Sequence, residues 1–365
     1  MKIPKIFLTI ILVAVFLFFA SLLYRTVILI FILLIWRKPL AGLIPEKYRR
    51  WTMRAVWATM ILLVWVALPR WRIDTSDRVR LIYFDKNGQA VHPPLSQYLL
   101  NVLIPESEVV NLGITAVKYA PSAIGKLQLA TSLVNQAQND IGNGKIGNFF
   151  STYRSLGLNT PMSGGYAQMF NDNLGTDDRA FYLCNPVNFN SERTYSLVVF
   201  CHGYMGNWQL YQGIWKGLEN AVVMSIGTKG ISGIFSTADI NNIFDFYMPM
   251  LERMGYKIDR SKIHLMGLSI GGSAVNAAVS SPLCAKFKST TFISCGLKKA
   301  AKYPWQINFI GGGRDGMATG MPSRCQQLKS MGVDADIFFD PDDNHYVLVN
   351  HRKEIINFLN KRFEL

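Results

Sequence analysis

The sequence predicts an α/β fold, with a mostly parallel sheet and helices on both faces, in the later half of the chain. Three observations predict it. Short apolar runs alternate with helical patterns from residue 181 to residue 359. Several of these runs are apolar at nearly every position, as strands buried on both faces require. One run, KIHLM over 262–266, passes at once into Gly267-Leu268-Ser269-Ile270-Gly271-Gly272 and then into small, helix-compatible residues over 273–279. Strand, tight glycine turn and helix follow one another there without a spacer.

The elements justify that reading in order. Residues 181–184 and 196–201 read as strands parted by a polar turn, and the second ends in His202-Gly203-Tyr204-Met205-Gly206. Residues 221–226 form the next buried strand. Over 237–254 the apolar residues Ile240, Ile243, Phe244, Tyr247, Met248, Leu251 and Met254 fall on one helical stripe, and Gly255 stands just past its end. Residues 290–294, 306–311 and 335–339 are three further strands, and a helix over 346–359 closes the chain.

The 365 residues are 50% hydrophobic, enough to bury one large domain with apolar residues left over. The formal net charge of +14 could suggest nucleic acid, but thirteen Lys and Arg against three Asp and Glu fall within residues 1–80. The basicity belongs to the N-terminal segment, so nucleic acid is not an expected partner. Five cysteines, Cys184, Cys201, Cys284, Cys295 and Cys325, show neither zinc-type spacing nor an even disulfide framework, and most read as small buried hydrophobes.

That N-terminal segment, residues 1–72, reads as a membrane-anchoring region with the lipid bilayer as partner. Residues 6–36 carry one charge, Arg25, and residues 51–69 form a second apolar run. As one helix the first would extend about 46 Å, against a hydrocarbon core of roughly 30 Å. Trp36, Trp51, Trp57, Trp65 and Trp71 crowd the ends of these runs, as an aromatic belt does. A cleaved signal peptide fits less well, because no small-residue cleavage site follows. Between the runs, six basic residues from Arg37 to Arg54 face Glu46 alone, which places that loop in the cytoplasm and the rest of the chain on the exoplasmic side, periplasmic in a Gram-negative source.

Residues 73–177 begin with a strand-like run over 78–90 that contains the turn signal Asn87-Gly88. Helices are expected over 94–103, 107–118 and 122–137, and loops over 139–147 and 159–165. The region is either a cap over a site or a platform against the membrane. Residues 178–365 hold the predicted sheet.

Gly-x-Ser-x-Gly between a strand and a helix is the pattern of a nucleophile elbow, with Ser269 pushed out on a sharp turn. A serine hydroxyl needs a base to take its proton and a carboxylate to hold that base. Of five histidines, His92 is far upstream, His202 is in the turn after a strand, His264 is inside the elbow strand, and His351 reads as lying on the solvated face of the last helix. His345, in a loop after the last strand, is the candidate base. Asp315, after Gly311-Gly312-Gly313-Arg314, is the candidate acid. Asp340, Asp342 and Asp343 are its rivals by proximity, but read as solvated turn carboxylates. The backbone N–H groups of Tyr204 and Ile270 are the candidate oxyanion donors, with His202 and Gly203 shaping the turn.

With these groups at strand ends in the order Ser, Asp, His, the chain from about residue 178 onward resembles the α/β-hydrolase superfamily. Its elbow is most similar to the esterase and dienelactone-hydrolase-like branches. The resemblance implies acyl transfer with neither metal nor cofactor, on a small-molecule or lipid-like carboxylic ester. A serine peptidase of the same fold and a non-catalytic membrane scaffold are the alternatives. Only residues 295–305 separate two late strands where relatives usually insert a lid, so residues 90–175 are the one candidate cap.

Overall fold

A computed structural model describes residues 3–18, 22–67, 78–84, 89–91, 179–204, 207–228 and 233–365. His92, the turn at Asn87-Gly88, the helices expected between 94 and 137 and the loops expected over 139–147 and 159–165 lie outside the described residues. The chain divides into two compact units. One comprises Met1–Ile73, Ser107–Ile141 and Asn148–Thr160, and the other Asp74–Glu106, Gly142–Gly147 and Pro161–Leu365.

In the first unit the described residues form helices α1 (Ile3–Phe18), α2 (Leu22–Gly42) and α3 (Glu46–Ala67). The Trp36 indole N–H donates to Thr9 Oγ1 at 2.7 Å, tying α2 to α1. These helices differ from the expected spans. At 16 residues α1 extends about 24 Å, short of a roughly 30 Å hydrocarbon core. Arg25, Arg37 and Lys38 interrupt α2, and the first turns of α3 carry Glu46, Lys47, Arg49, Arg50 and Arg54. Among the described residues no helix is long and apolar enough to cross a membrane.

The second unit contains β1 (Val79–Phe84), β2 (Ala90–Val91), β3 (Arg179–Cys184), β4 (Thr194–Cys201), β5 (Ala221–Ile226), β6 (Lys257–Leu268), β7 (Ser289–Ile293), β8 (Gln306–Gly312) and β9 (Ala335–Asp340). They form one sheet in the order β2-β1-β3-β5-β4-β6-β7-β8-β9. The six strands from β4 to β9 run parallel, while β1 is antiparallel to β2 and β3, and β3 to β5. This is an α/β fold with a mostly parallel sheet, consistent with the α/β-hydrolase arrangement. The strand-like run at residue 78 belongs to this sheet, which therefore begins well before residue 178.

Parallel strands buried on both faces need apolar side chains throughout, and all six residues of β5 and all but the first of β4 are buried. The helical stripe over 237–254 is one helical rod in three parts: Thr237–Asn242, a π-helical stretch Ile243–Tyr247, and Met248–Arg253. Ser236 caps it by accepting from the Asp239 N–H, and the Asp239 carboxylate accepts from the Ser236 N–H in return. Ile240, Ile243, Met248 and Leu251 of the stripe are buried in the core. The closing helix is parted at His351 into Val347–Asn350 and Arg352–Phe363.

Register decides where the chemistry collects. Cys201 pairs with Gly267, Leu268 with Ile293, Ile293 with Ile310, and Gly312 with Asp340. The carboxyl ends of β4, β6, β7, β8 and β9 thus finish along one edge, and the segments after them emerge side by side, as open parallel sheets use for binding.

Candidate active site

Ser269 follows β6 with φ +55, a left-handed conformation that a residue with a Cβ adopts only under constraint. The constraint is steric. A Cβ on Gly267 would overlap the Gly271 carbonyl, and one on Gly271 would overlap the carbonyls of Cys201 and His202. Glycine at both positions lets the turn close against β6 and against the end of β4, and the helix Gly272–Val279 then begins directly behind Ser269.

His345 and Asp315 meet this serine. Ser269 Oγ lies 2.9 Å from His345 Nε2, and His345 Nδ1 lies 2.9 Å from Asp315 Oδ2. With Nδ1 carrying the proton, the ring donates to the carboxylate and its other nitrogen accepts from the hydroxyl. Asp315 is buried, and its Oδ1 accepts from the Met317 N–H at 2.9 Å. The His345 carbonyl accepts from Ser294 Oγ at 3.1 Å, and Ser294, one residue past β7, has φ +50. The three residues singled out for acyl transfer therefore stand in one hydrogen-bonded line.

The turn after β4 lies beside them. A Cβ built on Gly203 would sit 3.4 Å from the Ser269 Cβ and from the Leu268 carbonyl oxygen, so this backbone lies directly against the serine. Tyr204 and Ile270, whose amides are the candidate oxyanion donors, are the next residues after Gly203 and Ser269. His202 is buried, and its ring donates from Nδ1 to the Gly203 carbonyl at 2.7 Å. Burial pulls its pKa down to about 4, so the imidazole is neutral near pH 7 and acts as a fixed prop for the turn.

Two expectations are corrected. Asp343 is not a solvated turn residue: it is buried, while Asp342 is exposed and pairs with Arg314 at 3.0 Å. His351 does not lie on a free helix face: its Nε2 is 2.9 Å from Asp340 Oδ2 and 3.3 Å from Asp343 Oδ2. Both differences arise because the loop after β9 folds back onto the broken closing helix. Gly233 is a contributor that no motif marked. At φ +67, it lies where a Cβ would come within 2.6 Å of the Gly203 carbonyl oxygen and 3.0 Å of Ile270 Cγ2.

All five cysteines are free thiols. Cys295 packs behind the elbow, where its thiol donates to the Gly267 carbonyl at 3.4 Å, and burial raises its pKa to about 12, so it stays protonated near pH 7. Among the described residues no group of three or more His, Cys, Asp or Glu is arranged to hold a metal ion.

Fold and site together define an α/β chain with Ser269, His345 and Asp315 hydrogen-bonded in line at a glycine-flanked left-handed turn. No family model matches the chain, and no curated protein matches it in sequence. Solved structures align with part of it. A thermostable esterase is 19% identical over 51% of this chain and 59% of its own, with a TM-score of 0.39. An acylaminoacyl peptidase from Pyrococcus horikoshii is 14% identical over 51% of this chain and 40% of its own, with a TM-score of 0.37. A feruloyl esterase module from Clostridium thermocellum is 12% identical over 51% of this chain and 83% of its own, with a TM-score of 0.43. The chain covers less than two thirds of the first two.

Proposed function

We propose that the protein is a serine hydrolase of the α/β-hydrolase kind, cleaving carboxylic esters through an acyl-enzyme on Ser269. The observation that carries this reading is the line Ser269–His345–Asp315, with 2.9 Å at each link, on a left-handed elbow. Ser269 Oγ attacks the ester carbonyl carbon while His345 Nε2 takes its proton. The amides of Tyr204 and Ile270 stabilise the oxyanion. Collapse of the tetrahedral adduct breaks the C–O bond, and His345 returns the proton to the departing alkoxide. Water, deprotonated by the same nitrogen, then releases the acid and restores the serine. Asp315 holds the ring in the tautomer that both steps need.

Ser269→Ala should abolish covalent labelling by a fluorophosphonate probe and lower hydrolysis of p-nitrophenyl esters by about 10⁴-fold or more, with the fold retained. A parent protein that takes up no probe, or an alanine variant turning over at the parent rate, would end this reading. Comparing acyl esters with acyl anilides on the parent separates esterase from peptidase.

The same proposal includes attachment to a bilayer through the N-terminal helices. Its support is chemical: Phe31, Trp51 and Ile61 stand exposed on α2 and α3, the helices that carry the six basic residues from Arg37 to Arg54, and Phe7 and Ile10 stand exposed on α1. Exoplasmic placement of the catalytic half is a further step, because it requires a crossing segment. An alkaline phosphatase fusion after Leu365 that stays inactive in cells would overturn that step alone.

A further inference from the structure

Asp343 departs from the rule that carboxylates in turns face water. It is 6% exposed, although it sits in a Pro-Asp-Asp-Asn loop where its neighbour Asp342 is open to solvent. Burying a carboxylate is unfavourable unless donors converge on it, and positions that break a local rule concentrate at functional sites. Donors do converge. Both donors go to one oxygen: Asp343 Oδ1 accepts from the Asn344 N–H at 2.8 Å and from Asn350 Nδ2 at 2.9 Å, while Oδ2, buried without a hydrogen bond, lies 3.3 Å from His351 Nε2.

These contacts act on both partners of Ser269. Asn344 immediately precedes His345, and Asn344 Oδ1 in turn accepts from the Tyr346 N–H at 2.8 Å, so the residues on either side of the histidine are tied down. The Asp343 carbonyl accepts from the Arg314 N–H at 2.8 Å, which fixes the residue before Asp315. Gly312 lets the two loops press together, for a Cβ there would stand 2.6 Å from the Asn344 carbonyl oxygen. Behind the loop, His351 is held by Asp340 at 2.9 Å and lies beside the Phe338 ring, with centroids 5.7 Å apart.

We infer that Asp343, backed by His351, is a positioning residue that sets the histidine and acid loops relative to each other and so fixes the Ser269–His345–Asp315 geometry. It reaches no substrate. Its carboxylate acts through the Asn344 N–H and Asn350, its carbonyl holds the Arg314 N–H, and its second oxygen lies beside His351 behind the first His–carboxylate pair. The inference rests on the serine-hydrolase reading above.

The test uses the full chain and counts functional sites by titration with a fluorophosphonate, so that loss of folded protein is separated from loss of rate. For Asp343→Ala, kcat per titrated site should fall roughly 10- to 100-fold with KM nearly unchanged, the scale expected when a reacting group is misplaced by about an ångström. Asp343→Asn keeps an oxygen for Asn344 and Asn350 and should recover part of that rate. Asp342→Ala, which removes the exposed ion pair with Arg314, should match the parent. A kcat per site for Asp343→Ala within about twofold of the parent, or an equal fall in Asp342→Ala, overturns the inference and leaves the hydrolase reading standing. If Asp343→Ala yields no titratable sites, Asp343→Asn decides: parental kcat per site refutes positioning, and a reduced kcat at parental KM supports it. A parent that cannot be titrated removes the hydrolase reading and this inference together.

Discussion

Gly271 is the residue on which two loops depend at once. A side chain there would collide with the carbonyls of Cys201 and His202, both backbone atoms at the end of a buried strand that cannot move aside cheaply. Gly271→Ala should therefore destabilise the fold by about 3 kcal/mol, as overpacking does, and remove probe labelling. Gly316, where an added Cβ meets nothing within 4 Å, is the control and should tolerate alanine. A urea midpoint for Gly271→Ala equal to that of Gly316→Ala would show that the elbow relaxes more freely than its contacts imply. Asp315→Asn belongs to the same scale: it keeps the shape but loses the acceptor that fixes the His345 tautomer. A kcat loss of roughly 10⁴-fold is the expected reading in a p-nitrophenyl ester assay, and parental turnover would count against Asp315 as the acid. Ser269, Asp315 and His345 were legible in the sequence because a glycine elbow, a glycine-rich acid loop and a histidine each follow an apolar run in a set order. Asp343 was not legible. In sequence it is one of three acids in a turn, and its burial comes from His351 and Asn350, which reach it only because the closing helix breaks.

Among the elements, the strands were legible to within a few residues, because burial on both faces writes an uninterrupted apolar run. The exception is β6, expected over 262–266 but running from Lys257 to Leu268, with a register shift against β4 between Tyr195 and Leu197. Its polar opening half, Lys257 to Lys262, carries no apolar signal. The helix Met321–Ser330 was missed although Met321, Cys325 and Leu328 are its buried residues, since three small contacts over ten residues make a weak stripe. For the N-terminal helices the sequence pattern and the structure diverge. Long apolar runs predict spans, whereas the helix bounds bring Arg25, Arg37, Lys38, Arg49, Arg50 and Arg54 inside α2 and α3. The basic opening of α3 suits attraction to an anionic surface, with Arg54 over the Trp51 ring at 5.6 Å. The full chain should co-sediment with vesicles containing phosphatidylglycerol more than with pure phosphatidylcholine. Each basic residue near such a surface is worth about 1 kcal/mol, so joint Arg49→Glu and Arg50→Glu reversal should weaken that binding by about tenfold or more. Equal binding of parent and double variant would remove the electrostatic part of the proposal.

At the scale of the whole molecule, buried histidines couple stability to pH. His264 stands in β6 with its Nδ1 2.7 Å from Ser289 Oγ and its ring stacked on Phe363 at 4.1 Å, centroid to centroid. Burial, with Lys288 and Lys262 adding to it, pulls its pKa down to about 3, and burial alone pulls His202 down to about 4. Both are bases whose folded pKa lies below the unfolded value of about 6.5. The unfolded chain therefore binds more protons than the folded one between those limits, and stability falls as pH drops below about 6.5. The loss continues to about 4 for His202 and about 3 for His264, where the folded forms also protonate. For His202 a shift of this size corresponds to roughly 3 kcal/mol, spread over that window. His264→Gln keeps a polar group near Ser289 but cannot titrate, so its urea midpoint should fall less steeply between pH 6.5 and 4 than the parent's, even if it starts lower at pH 7. Parallel midpoint–pH curves for parent and His264→Gln would mean that His264 does not titrate on unfolding, and would assign the acid sensitivity to His202 and the carboxylates instead.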